Sequence, residues 1–305
     1  MVSSSVSSSF DSTLPLVSYP SSRCDDAVSR AQSAPSVELT APDGAFARVY
    51  LDGAHVTSWI PARSTVDRLF VSREAQYGPG YSIRGGIPVC FPQFGAFGPI
   101  GHHGFARLSR WSVVREEEID GGARVVLRLT DSETSRAVWP FAFRADLSVH
   151  VAAATLTVQL TVTNTDTQPI QFTAALHPYF AVDNAYATQV SGLSSCRYRD
   201  GLRNGDEFDE DGDVLLIEGH LDRVYYATPD VIEMREPNRT LRIEKRGFSD
   251  TVVWNPGAEG TRTRADFADG EERHMVCVEA AVVRPPVLLS LGEQWVGTQL
   301  MTAVR

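Results

Sequence analysis

After Ser36, apolar and polar residues alternate with a period of two over most of the chain. The clearest case is Thr155-Leu-Thr-Val-Gln-Leu-Thr-Val-Thr, closed by Asn164-Thr-Asp and preceded by Phe143-Arg-Ala-Asp-Leu-Ser-Val-His-Val. Such alternation sends successive side chains to opposite faces of a half-buried strand, and threonine with branched aliphatics suits that environment. Shorter segments follow the same rule: Val37–Thr40, Ala47–Leu51, Val56–Ile60, Arg68–Val71, Arg110–Glu116, Ala123–Thr130, Leu241–Lys245 and Thr251–Trp254. Asp52-Gly53 reads as a tight turn and Asp120-Gly-Gly122 as a hairpin. Met275–Glu279 reads as an apolar strand closing on its carboxylate. Separate strands are predicted at Pro286–Leu291 and Gly297–Val304.

Helical signals are few. Asp131–Arg136 fits a single turn, and the acidic stretch Asp206–Asp213 reads as a solvated turn. It lacks the glycine and closing glutamate of a calcium loop. About fifteen to twenty strands at roughly ten-residue spacing, without helix-sized crossovers, predict an all-β fold, a large antiparallel β-sandwich. One domain is expected over residues 36–305. Residues 1–35 are serine-rich, carry Pro15, Pro20 and Pro35, and are expected to be a mobile tail. Their start lacks the positive charge and apolar core of a secretory signal.

Composition narrows the function. A formal net charge of −10 over 305 residues argues against a nucleic-acid surface, which needs a basic stripe. A few local arginines can still hold a small anion in a cleft. Cys24, Cys90, Cys196 and Cys277 show no CxxC pair, so neither a zinc finger nor a disulfide scaffold is expected. Cys90 and Cys277 lie in apolar runs and read as small buried hydrophobes. No run of about 18 apolar residues exists to span a membrane. A cytoplasmic monomer acting on a small molecule, with no metal or other cofactor, is the expectation.

Four segments carry candidate chemistry. Arg84-Gly-Gly-Ile-Pro-Val-Cys-Phe-Pro-Gln-Phe-Gly95 and His102-His-Gly-Phe-Ala-Arg107 combine glycines and prolines into a fixed irregular path. That path can hold Arg84, His102 and Arg107 at one mouth. Guanidinium forks suit phosphate or carboxylate, although an internal ion pair would use the same groups. In Phe172-Thr-Ala-Ala-Leu-His177-Pro-Tyr-Phe180 the proline places His177 at a strand end, where it either makes a structural hydrogen bond or moves protons near neutral pH. Glu279 either pairs with a cation such as Arg284 or sits in a cleft with a raised pKa. Asp222, placed just before a strand, is either a turn former or an acceptor for a polyhydroxylated ligand. Trp254 reads as core or cleft wall.

Taken in order, Arg-Gly-Gly-Ile-Pro, Phe-Pro-Gln-Phe-Gly, His-Gly-Phe-Ala-Arg, Leu-His-Pro-Tyr-Phe, Asp-Arg-Val-Tyr, Val-Val-Trp-Asn-Pro and Val-Cys-Val-Glu-Ala resemble the aldose 1-epimerase family, in its hexose-6-phosphate mutarotase branch. The resemblance runs from about residue 37 to the C-terminus. It implies a β-supersandwich of the galactose-mutarotase type and cofactor-free interconversion of hexose 6-phosphate anomers. By motif, His177 and Glu279 match the catalytic acid and base, Arg84 and Arg107 the phosphate-holding arginines, and Asp222 a sugar-binding aspartate. Where the family pattern has glutamine, this chain has His102, whose imidazole can still donate to phosphate or hydroxyl. Glu279 is expected to start as base and His177, protonated, as acid. The competing readings are a non-catalytic carbohydrate-binding sandwich, a mutarotase for free aldoses, and a glycoside hydrolase, which would need two carboxylates.

Overall fold

The structure, a computed structural model, describes residues 33–304. The expected mobile tail therefore lies outside the described residues except for its last three. Of these, Pro35 already accepts a hydrogen bond from the Leu51 amide (2.9 Å).

Among the described residues twenty strands make up the fold. They begin with β1 (Ser36–Thr40), β2 (Phe46–Tyr50), β3 (His55–Ile60), β4 (Val89–Cys90), β5 (Ser112–Ile119), β6 (Gly122–Thr130), β7 (Phe143–Ala152) and β8 (Thr155–Asn164). Then come β9 (Ile170–Leu176), β10 (Tyr179–Ala181), β11 (Gln189–Ser191), β12 (Arg197–Asp200), β13 (Glu207–Asp209) and β14 (Val214–Leu216). The last are β15 (Leu221–Tyr225), β16 (Val231–Glu236), β17 (Arg239–Arg246), β18 (Asp250–Asn255), β19 (Met275–Leu289) and β20 (Gln294–Val304). All ladders between these strands are antiparallel, as predicted.

A nine-stranded sheet runs β14-β11-β16-β17-β20-β8-β7-β6-β5. The second sheet has eight strands, β13-β12-β15-β18-β19-β9-β4, with β10 also paired to β19, and β1–β3 form a third. Leu156, Val158, Leu160 and Val162 of β8 share one hydrophobic cluster with Val276, Val278, Ala280 and Val282 of β19 and with Val49 and Trp59 of the third sheet. Burying these alternating aliphatics at roughly 25 cal/mol per Å² joins the layers. The other face of β19 is thereby turned away from the core.

The hairpin at Asp120-Gly121 has positive φ at both residues, the twist that matches its strands. The single turn becomes a six-residue helix (α1, Glu133–Val138) capped reciprocally by Ser132 and Ser135. Several expectations are corrected. Arg68–Val71 makes isolated bridges, through Leu69 and Val71, and forms no strand. Asp206–Asp213 is not simply a solvated turn, because it contains β13. Within it Glu207 accepts from Arg197 and Arg284, and Glu210 from Arg223 and Tyr225. The sequence pattern also missed β16 and a second helix, α2 (Gly257–Thr263).

Candidate active site

The strand carrying Glu279 does not close there. β19 continues to Leu289, past Pro285 and Pro286, by shifting register against β9 between Val282 and Val287. Glu279 thus lies well inside a strand, where two neighbours can face it. On one side Val252 of β18 is its ladder partner. On the other, β9 pairs Leu176 with Ala280, and β10 resumes after Pro178 with Tyr179 opposite Cys277. The register is unbroken across the proline, so His177 stands opposite Glu279. Directly opposed residues share a face and bring their side chains together.

The face is the outward one, since Val278 and Ala280 fill the core. His177 Nε2 lies 3.2 Å from Glu279 Oε1, with 10% and 1% of the side chains exposed. Tyr179 stacks on the His177 ring at 4.9 Å, and Trp254 and His103 meet it edge-on. The same row runs outward through Val252 and Val224 to Arg199 of β12, and the next row holds Asp222, Trp254, Cys277 and Tyr179. Asp222 is the second residue of β15, not the residue before it. Its carboxylate faces a cleft of about 490 Å³ shared with His177, Glu279, Arg84, His102 and Arg107. All six sequence-selected residues therefore meet in one cavity. A larger groove of about 820 Å³, lined by Leu51, Arg110, Arg128 and Ser132, contains no acid–base pair.

The opposite wall comes from the glycine-rich path. Gly86 has φ +60°, and a Cβ there would lie 2.2 Å from the Val56 carbonyl and 3.0 Å from the His55 ring. His55 Nε2 meets the Gly85 carbonyl at 2.7 Å beneath this turn. Arg84, presented by it, donates to Asp266 (2.9 Å) and to the Tyr179 hydroxyl (2.9 Å) and lies 5.0 Å over the Phe267 ring. Gly104, at φ +68°, lets the second arm return against the Phe91 carbonyl. That arm carries His102, which reaches the surface, and Arg107, whose guanidinium donates to the His102 carbonyl (2.9 Å) while its buried Nε has no partner.

Electrostatics bears on one expectation. Burial first, then Arg107 and Arg84, lower the His177 pKa to about 3. Burial, reinforced by Asp222, raises Glu279 well above the ordinary carboxylate range. Both shifts oppose a charged His177–Glu279 pair and favour the uncharged forms, against the expectation that His177 starts protonated. The pairing of Glu279 with Arg284 is also ruled out, because Arg284 binds Glu207 (2.7 Å). Glu279 Oε2 and His177 Nδ1 are buried without a hydrogen-bond partner. Cys90 and Cys277 are fully buried, as expected. Sequence reasoning missed Arg199, Arg264 and Asp266. Among the described residues no carboxylate pairs with Arg107, Arg199 or Arg264; their contacts are carbonyls or aromatic rings.

A family model for aldose 1-epimerase matches residues 35–302. The chain belongs to the aldose 1-epimerase family. This epimerase is 37% identical to a Cenchrus ciliaris protein named "Putative glucose-6-phosphate 1-epimerase", over 85% of this chain and 81% of that one. An Escherichia coli K12 protein of the same name is 32% identical, over 76% and 78%. Among solved structures, a "putative mutarotase" from Salmonella typhimurium superposes on the epimerase with a TM-score of 0.80. The two are 25% identical, over 91% of this chain and 99% of that one. A galactose mutarotase related enzyme from Lactobacillus acidophilus shares the fold at 15% identity and TM-score 0.71, covering 89% of this chain and 98% of that one. The chain is thus an isomerase that interconverts sugar anomers on a β-sandwich of the galactose-mutarotase kind.

Proposed function

We propose that this epimerase acts on hexose 6-phosphates, glucose 6-phosphate foremost, and that Glu279 and His177 open and reclose the pyranose ring. The observation that carries the reading is a buried His177–Glu279 contact of 3.2 Å in a cleft lined by arginines. Ring opening removes the C1 hydroxyl proton and protonates the ring oxygen. Rotation about C1–C2 and the reverse transfers give the other anomer. One base and one acid suffice, and the pair holds one proton between them. The orphaned Glu279 Oε2 is the acceptor we assign to the C1 hydroxyl.

The substrate phosphate completes the arrangement. Arg107 and Arg84 are the charges that disfavour imidazolium at His177. A phosphate dianion on their guanidinia offsets that part of the shift, so transfer of the shared proton from Glu279 to His177 costs less in the complex than in the free cleft. Carboxylate base and imidazolium acid are thereby easier to reach in the complex. Asp222 accepts sugar hydroxyls, and His102 donates from the rim. All assigned side chains come from one chain, so the site works in a monomer, and a charged, membrane-impermeant substrate fits a cytoplasmic setting.

Binding alone would need no buried acid–base pair, and a hydrolase would use two carboxylates as its working pair, whereas the group in contact with Glu279 is an imidazole. kcat/KM for anomer exchange, read by NMR, is expected to be higher for glucose 6-phosphate than for glucose. Arg107→Ala is expected to narrow that ratio about 10- to 100-fold, as a charge-assisted contact of about 1.5–3 kcal/mol is lost. A wild-type ratio near one, or equal losses on both sugars, would defeat the phosphate reading.

A further inference from the structure

The segment after α2, Arg264-Ala-Asp-Phe267, places Arg264 in the cleft lining and sets two residues against Arg84. Asp266 pairs with Arg84 and Phe267 lies under its guanidinium, so Arg84 is held in place with its charge partly neutralised. A phosphate monoester carries about −1.5 to −2 charge and three acceptor oxygens at neutral pH. Arg107 with a half-neutralised Arg84 leaves that charge under-matched.

We propose that Arg264 is a third phosphate-contacting residue, closing the anion pocket from the Trp254 side. The inference rests on the hexose-phosphate reading above and adds a residue to it. Arg264 is half-buried in the cleft lining, 5.9 Å over the Trp254 ring, with one Nη on the Gly260 carbonyl (2.8 Å) and no carboxylate partner. A Cβ at Gly260 would stand 2.8 Å from that Nη, so the glycine makes room for the guanidinium. Arg264 lines the same cleft as Arg84, His102 and Arg107, and Asp266, two residues further on, pairs with Arg84. The remaining cleft arginine sits further out along the sheet. Arg199 lies three strand spacings from Glu279, about 14 Å, and packs on Phe97.

The experiment compares the full-length wild type with Arg264→Gln and Arg264→Lys. For each, kcat/KM is measured for glucose 6-phosphate and for glucose, with KM and kcat separated. In Arg264→Gln the phosphorylated-to-free ratio should fall about 10- to 100-fold, chiefly through KM, and Arg264→Lys should restore part of it. A preserved ratio in Arg264→Gln overturns this inference alone. So does an equal loss on both sugars, which would place Arg264 on the sugar ring. A wild type without preference for the phosphorylated sugar removes the hexose-phosphate reading and this inference together. Should Arg264→Gln fail to fold, Arg264→Lys decides: its geometry-poor ammonium must still lower the ratio by a measurable factor, and an unchanged ratio overturns the proposal.

Discussion

Glu279→Gln should lower kcat for glucose 6-phosphate anomerisation by about 10²–10⁴-fold, the usual contribution of one positioned proton transfer. NMR saturation transfer between the anomeric protons would measure it, against the uncatalysed exchange in the same buffer. The variant should nevertheless be folded, and no less stable than the wild type. Glutamine keeps the volume of the side chain and can still hydrogen-bond His177 Nε2, now 3.2 Å from the carboxylate. It also removes a liability. Glu279 has a folded-state pKa raised by burial, so its ionised form is disfavoured in the folded protein more than in the unfolded chain. The stabilising state of such a group is present at low pH and is lost as pH rises through the folded pKa. At pH 7 and above the uncharged glutamine is therefore the more stable side chain, and a Tm at or above the wild-type value is expected there. Wild-type turnover in Glu279→Gln would take the carboxylate out of the chemistry. Lost activity with a lowered Tm would instead assign it to the fold.

That trade between stability and chemistry was legible only in part. The alternation along β7 and β8 determined a half-buried antiparallel sheet, and the structure buries every second residue there. His177 was legible because Pro178 interrupts a strand directly after it, and the register resumes at Tyr179. Glu279 was legible as an anomaly in an apolar run, but not its place within the strand. The pattern closed one strand at Glu279 and began another at Pro286, whereas β19 runs through both prolines by a register shift between Val282 and Val287.

The cations divide in the same way. Arg84 and Arg107 stand beside glycines with positive φ that only a close backbone approach requires, so their segments read as built paths. Arg199 occupies an ordinary alternating position in Arg197–Asp200, where an arginine looks solvent-facing. Arg264 follows a short glycine- and threonine-rich helix without apolar periodicity. Only the tertiary path shows that both line the cleft. The proton's resting place was not legible either. Composition says nothing about desolvation, and desolvation is the main cause of the shifts at both His177 and Glu279.

Acid should destabilise this protein through histidines held neutral, and His55 is the one to isolate. It is fully buried under the Gly85-Gly86 turn, and its pKa falls from 6.5 to about 4, mainly by burial, despite the hydrogen bond to the Gly85 carbonyl. The unfolded chain takes up a proton at His55 near pH 6.5, and the folded protein does so only near pH 4. The associated stability is thus complete above pH 6.5 and is lost as pH falls towards 4. One such proton corresponds to about 1.4 kcal/mol per pH unit, or about 3 kcal/mol across that window. His177 adds a slope of the same sign, whereas Glu279 runs the opposite way above the ordinary carboxylate pKa, so the wild-type profile mixes them. The comparison of wild type with His55→Gln separates the one group from the rest. Urea unfolding at intervals between pH 4 and 7 should show a shallower slope in the variant, by about one proton, whatever its absolute stability. Identical slopes would mean that His55 charges without penalty in the fold, and the neutral imidazole beneath the arginine-bearing turn would have to be abandoned.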